Sequence, residues 1–236
     1  MKQSIVEATH PTVEKILKYY SWRATNYDAG SGFEAEHHAE ALRLAGVQEG
    51  QDVLDVAAGT GRATVGLAQA VGDHGKVYAL DLSEAMLGQA RAKIDRLGLG
   101  DRVQFKQGNA RELPYPDEMF DLVYNGYMFD LIPLDGFLPI LKEMNRVLKP
   151  SEKLVLLNMS KPDEQKTFYE RIYKWTKIPC RPVLMTPYLE SLGFKNVQRI
   201  YRSIQPKNLF EWIISKMWGQ EIVVAHKLYD VSGQAQ

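Results

Sequence analysis

The 236-residue chain has a single cysteine, Cys180, which excludes an internal disulfide and a cysteine-built metal site and suits a reducing cytoplasm. It has no net charge: 29 Lys and Arg stand against 29 Asp and Glu, so no long-range field gathers nucleic acid. Nowhere does it hold the apolar run of about 18 residues that a membrane span needs. Met1-Lys2-Gln3-Ser4 leads into no apolar signal core. Repeats, low-complexity tracts and linkers are missing as well, so one domain over 1–236 is expected, with VSGQAQ at 231–236 as a disordered tail.

What is present is an alternation. β-rich apolar runs at 51–57, 76–81, 102–107, 120–125, 153–159, 195–203 and 220–227 are separated by helical patterns, among them Arg62–Ala70 and Ser83–Leu97, the latter opened by a serine N-cap. The pattern predicts an α/β fold: a Rossmann-like, seven-stranded, mostly parallel sheet with helices on both faces and ligands at the carboxyl ends of the strands. Residues 1–48 read as an N-terminal helical cap broken at Gly30-Ser31-Gly32, 49–160 as a cofactor-binding core, and 161–230 as C-terminal strands with substrate-side helices. Charge is divided unevenly, since residues 160–236 carry 12 Lys and Arg against 7 Asp and Glu.

The stretch LDVAAGTGRAT, residues 54–64, joins a strand pattern to a helix pattern. A dinucleotide loop wants G-x-G-x-x-G, but from Gly59 the order is G-T-G-R-A-T, with β-branched Thr64 in the third glycine position, and no P-loop lysine follows. From Asp55 the same stretch is D-x-A-x-G-T-G. A carboxylate at the strand end suits an ammonium, and Gly59 and Gly61 let backbone approach a ribose, groups that S-adenosylmethionine carries. Asp81, ending the next strand, can accept ribose hydroxyls, as it also would from NAD. Asn109-Ala110, ending the third, lies where an adenine amino group would arrive. The structural alternatives are helix capping for Asp55 and Asp81 and a turn for Asn109.

These segments, together with VYALDLSEAMLGQA, QGNARELPYPDEMFDLV and ILKEMNRVLKPSEKLVLLNMS, resemble the class I S-adenosylmethionine-dependent methyltransferases. The likeness is to the type 11 branch, similar to the ubiquinone/menaquinone biosynthesis C-methyltransferases. It implies that Asp55, Ala57, Gly59, Thr60 and Gly61 form the methionine and ribose loop and that Asp81 takes the ribose hydroxyls. Leu82 and Met86 would lie against adenine, Asn109 and Ala110 read its edge, Asn125 and Tyr127 follow the fourth strand beside the sulfonium, and Tyr27 closes over the cofactor. Alanine at position 57 is a variant that this branch tolerates. Two departures stand out: Leu148-Lys149-Pro150-Ser151-Glu152 replaces the usual LKPGG turn, so another turn geometry is expected, and the cap reads NYDAGSGFEAEHHAE rather than the pattern of the quinone enzymes.

Methyl transfer from a sulfonium is an in-line displacement that needs mainly alignment, with a base only for a poor, proton-bearing nucleophile. Tyr20, His38 and Tyr127 are the candidates for a base or orienting group. His37 and His38 point about 100° apart on a helix and cannot form an i, i+4 metal pair, so no metal is expected. A solvated pair beside Glu34, Glu36 and Glu40 is the favoured reading of these histidines. Asn125-Gly126-Tyr127-Met128 lacks the Pro-Pro loop of enzymes that methylate base amino groups, which again argues against nucleic acid. NLFEWIISKMWG, residues 208–219, places Leu209, Phe210, Ile213, Ile214 and Met217 on one stripe: a packed helix, or a peripheral membrane contact that gathers a lipid-like acceptor. The expected activity is therefore methylation of a small apolar or aromatic acceptor, such as a quinone precursor or lipid-like molecule. The alternatives are a non-catalytic S-adenosylmethionine-binding protein on the same fold and, more remotely, an NAD-dependent oxidoreductase.

Overall fold

The computed structural model describes residues 13–30, 34–165, 170, 180–203 and 219–228. Seven strands form one sheet: β1 (Asp52–Val56), β2 (Lys76–Asp81), β3 (Val103–Gln107), β4 (Phe120–Gly126), β5 (Leu148–Ser160), β6 (Lys195–Ser203) and β7 (Gly219–His226). Their order is β3-β2-β1-β4-β5-β7-β6. Only β7 runs against its neighbours. Strands covered on both faces need continuous apolar runs, and Val53, Leu54, Val123, Leu154, Val155 and Leu156 are all fully buried.

Alternate strand residues feed two cores. On one face, Val53, Val77, Ala79, Leu122 and Val155 meet α3 (Glu34–Ala45), α4 (Arg62–Ala70) and α5 (Glu84–Arg96). On the other, Leu54, Val56, Val123 and Leu156 meet α6 (Phe137–Val147) and α7 (Thr186–Ser191). Helix α6 has Phe137, Ile140, Leu141 and Met144 at helical spacing, all buried, so its apolar stripe fixes its rotation against the sheet.

The cap consists of α1 (Val13–Arg23), a 3-10 turn at Ala24–Asn26, α2 (Tyr27–Gly30) and α3. α1, the 3-10 turn, α2 and the start of α3 lie over the carboxyl ends of the central strands, with α1 against α5, while the rest of α3 packs on the sheet face. The expected turn at Pro150-Ser151 is instead a bulge inside β5, which begins at Leu148 and shifts register against β4 between Phe120 and Leu122. Ser151 takes a left-handed φ of 66°. Its N–H donates to Lys227 O and Lys227 N–H donates to Glu152 O, so pairing with the last strand holds a conformation glycine would adopt unaided. The stripe on 208–219 lies outside the described residues, except for Gly219. Among the described residues no helix is long and apolar enough to cross a membrane.

Candidate functional site

A cavity of about 520 Å³ opens where the carboxyl ends of β1 to β4 meet the cap, a volume within the range of roughly 300–1,000 Å³ for small-ligand sites. β1 ends at Val56 and the chain turns at once, with Ala57 at φ 59°, Gly59 at φ 57° and Gly61 at φ 77°. A left-handed alanine costs about 1–2 kcal/mol. Two backbone bonds offset it, Ala58 N–H to Leu80 O at 3.0 Å and Gly61 N–H to Ala58 O at 2.9 Å. Ala57 and Gly59 line the cavity. Gly61 does not reach it. A Cβ there would lie 2.9 Å from the Cβ of Ala90, so this glycine lets α4 pack against α5.

Asp55 is buried at the end of β1, where Thr64 Oγ1 donates to its Oδ2 at 2.7 Å. The bond comes from a side chain of α4, not from helix-end N–H groups, so Asp55 is no helix cap. Burial pushes its carboxyl up to about 7, opposed by the Thr64 bond and reinforced by Asp81. Thr64, met in the sequence only as an absent glycine, supplies the hydroxyl that holds this carboxylate. Asp81 accepts Gly59 N–H and Ser83 N–H, both at 2.8 Å, and thereby ties the β1 loop to the start of α5. Burial raises its carboxyl, against those backbone bonds. The capping of α5 falls to Ser83, whose Oγ accepts Met86 N–H.

Leu82, Asn109 and Ala110 line the cavity from the ends of β2 and β3, and Met86 lines it from the first turn of α5. Asn109 also accepts Arg111 N–H at 3.0 Å, so it makes the turn that was its structural alternative while lining the site. Asn125 is corrected: fully buried and absent from the cavity lining, it donates from Nδ2 to Val56 O at 2.7 Å and cross-links β4 to β1 beneath the loop.

Tyr20, Tyr27, Glu34, His38 and Tyr127 line the cap end. Tyr27 Oη donates to Glu34 Oε1 at 3.3 Å, and burial raises both the Tyr20 and Tyr27 phenols far above the tyrosine norm. The solvated reading of His38 is overturned. It is buried, with Nδ1 2.8 Å from Tyr124 Oη, and burial pushes its imidazolium down to about 3, so the ring is neutral. His37 is half-buried. Tyr127, at φ 57°, is fixed by its N–H bond to Leu157 O at 2.7 Å, while its hydroxyl finds no partner among the described residues. Nearby Asp130 is also buried, its carboxyl pushed up to about 7 by burial.

One ion cluster clasps cap to core. Asp28 of α2 accepts Thr60 Oγ1 at 2.6 Å and Lys93 Nζ at 2.6 Å, with Arg62 at 3.4 Å. Burial raises the Asp28 carboxyl, but the Lys93 and Thr60 bonds prevail and leave it below its usual value. Thr60 thus lines the cavity with its hydroxyl committed to the clasp. Sequence reasoning missed Thr64 and Asp28, Glu34, Arg62 and Tyr124. Only Tyr124, an aromatic in the last turn of strand before the Asn125-Gly126-Tyr127 end, carried a signal. Among the described residues no cluster of His, Cys, Asp or Glu is arranged to hold a metal.

A family model described as the ubiE/COQ5 methyltransferase family matches residues 32–200. A demethylmenaquinone methyltransferase of Bacillus mycoides is 40% identical over 162 residues, 69% of this chain. The match spans 66% of that relative's length, just short of two thirds. Among solved structures, a SAM-dependent methyltransferase from Aquifex aeolicus superposes with TM-score 0.58 at 26% identity, over 81% of this chain and 89% of that one. The [4+2]-cyclase SpnF superposes with TM-score 0.74 at 18% identity, over 93% of this chain and 98% of the other, a likeness of fold alone.

Proposed function

The chain belongs to the ubiE/COQ5 methyltransferase family, and on that premise we propose that it methylates a small apolar or aromatic acceptor, a quinone precursor first of all, with S-adenosyl-L-methionine as donor. The observation that carries this reading is the convergence of three successive strand ends, Asp55, Asp81 and Asn109, on one cavity beneath an aromatic cap. The residues fit the donor. The buried Asp55 carboxyl, raised by burial, has an incentive to ionise beside an ammonium. Asp81 keeps lone pairs for ribose hydroxyls after accepting two N–H groups. Leu82 and Met86 offer apolar contact for a purine. When bound, the donor supplies an activated methyl on a sulfonium.

The chain's own part is alignment and exclusion of water. Asp55, Ala57, Gly59 and Asp81 hold the donor; Tyr20, Tyr27, His38 and Tyr127 bound the space left for the acceptor, and a tyrosine face turned to the donor favours its sulfonium by about 0.5–2 kcal/mol. The name of the Bacillus relative supports a naphthoquinone-type acceptor. A lipid-tailed acceptor would call on the 208–219 stripe as a membrane contact, and a cytoplasmic location belongs to the same proposal.

Calorimetric titration tests it: S-adenosylmethionine and S-adenosylhomocysteine both bind, and NADH does not. Binding of NADH alone would restore the oxidoreductase reading; binding of the donor with no methyl transfer to any lipid or aqueous extract would restore the non-catalytic one.

A further inference from the structure

Two hydrogen-bond donors at the cap end of the cavity have nothing to donate to among the described residues. Tyr127 Oη is buried without a partner among the described residues. Its ring lies 5.5 Å from that of His38, edge to face at 72°. Room for the imidazole is made by Gly126, where a Cβ would come within 2.6 Å of His38 Cε1.

Which proton the imidazole offers follows from Tyr124. That phenol is fully buried, burial holds it protonated, and its one hydrogen bond among the described residues is the 2.8 Å contact with His38 Nδ1. If Nδ1 carried the proton and donated to Tyr124, the phenol's own hydrogen would be buried unpaired, the costlier arrangement. Tyr124 therefore donates to Nδ1. Because the ring is neutral, its proton then sits on Nε2, the nitrogen that the described residues leave without a partner on a side chain lining the cavity.

We propose that His38 Nε2–H and Tyr127 O–H together form a two-donor site for an oxygen on the acceptor ring, taken as a carbonyl or phenolate, and that Tyr124 is the positioning residue that fixes the His38 tautomer. The proposal rests on the methyltransferase reading only for the word acceptor; the oxygen site itself is a property of the cavity. It selects an oxygenated aromatic over a hydrocarbon or an amine, since an amine offers no acceptor lone pair of comparable strength once it is protonated. Two donors stabilise a developing phenolate against the carboxylates of Glu34 and Asp130, which act on Tyr127 from the same end of the cavity.

The test uses the protein alone with 4-nitrophenol, whose ionised form is visibly yellow. The bound probe ionises at a pH lower by about one unit or more than the free probe, as a site favouring the anion requires. Tyr127→Phe and His38→Gln each weaken nitrophenolate binding by about ten- to a hundredfold, the loss of one hydrogen bond to a charged group. Nitrogen-15 NMR of histidine-labelled wild-type protein, with His38 assigned through His38→Gln, finds the proton on Nε2, and in Tyr124→Phe the Nε2–H and Nδ1–H forms mix. Melting curves establish that each variant folds, His38→Gln included because it assigns the NMR signal, and the wild-type probe titration needs no variant to fold. A bound probe that ionises like the free one, an undiminished affinity in Tyr127→Phe, or an Nδ1–H tautomer in the wild type overturns the proposal. Donor binding is measured separately, so its absence beside an intact phenolate site would overturn the methyltransferase reading and leave this one standing.

Discussion

Replacing Asp81 by alanine removes the carboxylate that accepts both Gly59 N–H and Ser83 N–H. The loop loses its tie to α5 and, on the proposed function, a ribose loses its acceptor. Calorimetry is expected to show S-adenosylmethionine binding weakened by about ten- to a hundredfold, as for one or two hydrogen bonds to a charged group. Asp55 sets a pH dependence. Its carboxyl sits near 7 when the protein is folded and at the usual low value when unfolded, so between those values the folded chain holds a proton that the unfolded one lacks. Stability of the free protein falls as pH rises through that window and levels above about 7. A ligand ammonium reverses the preference, so donor affinity rises with pH up to about 7 and binding releases a proton, measurable by calorimetry in buffers of different ionisation enthalpy. Asp55→Asn flattens both trends. Ala57→Val forces a β-branched side chain into the left-handed region, and thermal melting is expected to show a loss of about 1–2 kcal/mol.

Elements were more legible than their contacts. The runs at 76–81, 195–203 and 62–70 match β2, β6 and α4 residue for residue; in α4 the buried Ala63, Thr64, Leu67 and Ala68 fall at helical spacing, whereas β6 buries none of its residues fully. β5 starts earlier than expected, since Pro150-Ser151 signals a turn while the pairing that bridges the bulge comes from Lys227, 76 positions on from Ser151. The cap's role was hidden for the same reason. His38 meets Tyr124 across 86 residues and Asp28 meets Lys93 across 65. No local pattern marks either pair, so FEAEHHAEAL read as a solvated face. The Asp28 clasp belongs at this scale. Its ions are partly exposed, at 43% for Asp28, so its worth is modest and falls with salt. Asp28→Asn is expected to speed donor release by a few fold in stopped-flow fluorescence, with added salt doing the same to the wild type. Gly61→Val, which drives a Cβ into Ala90, is expected to cost about 1–3 kcal/mol by melting.

At the scale of the whole molecule, the sheet is shared by proteins named for methyl transfer and for cyclisation. The fold therefore places a ligand at its strand ends without naming a reaction. In this chain the cavity joins the proposed donor half, built from β1 to β3 and visible in the sequence, to a cap-side half of Tyr20, Glu34, His38 and Tyr127 whose convergence only the fold shows. Cap and sheet close on one ligand cavity, so saturating donor at a hundred times its dissociation constant is expected to raise stability by about 2.7 kcal/mol. The most direct test is to incubate the protein with methyl-tritiated S-adenosylmethionine and a reduced, prenylated naphthoquinone lacking its ring methyl. The account predicts label transferred to the quinone and extracted into organic solvent, and lost in Asp81→Ala; donor that binds while no label leaves it, for this acceptor or for any in lipid and aqueous extracts, would contradict the account.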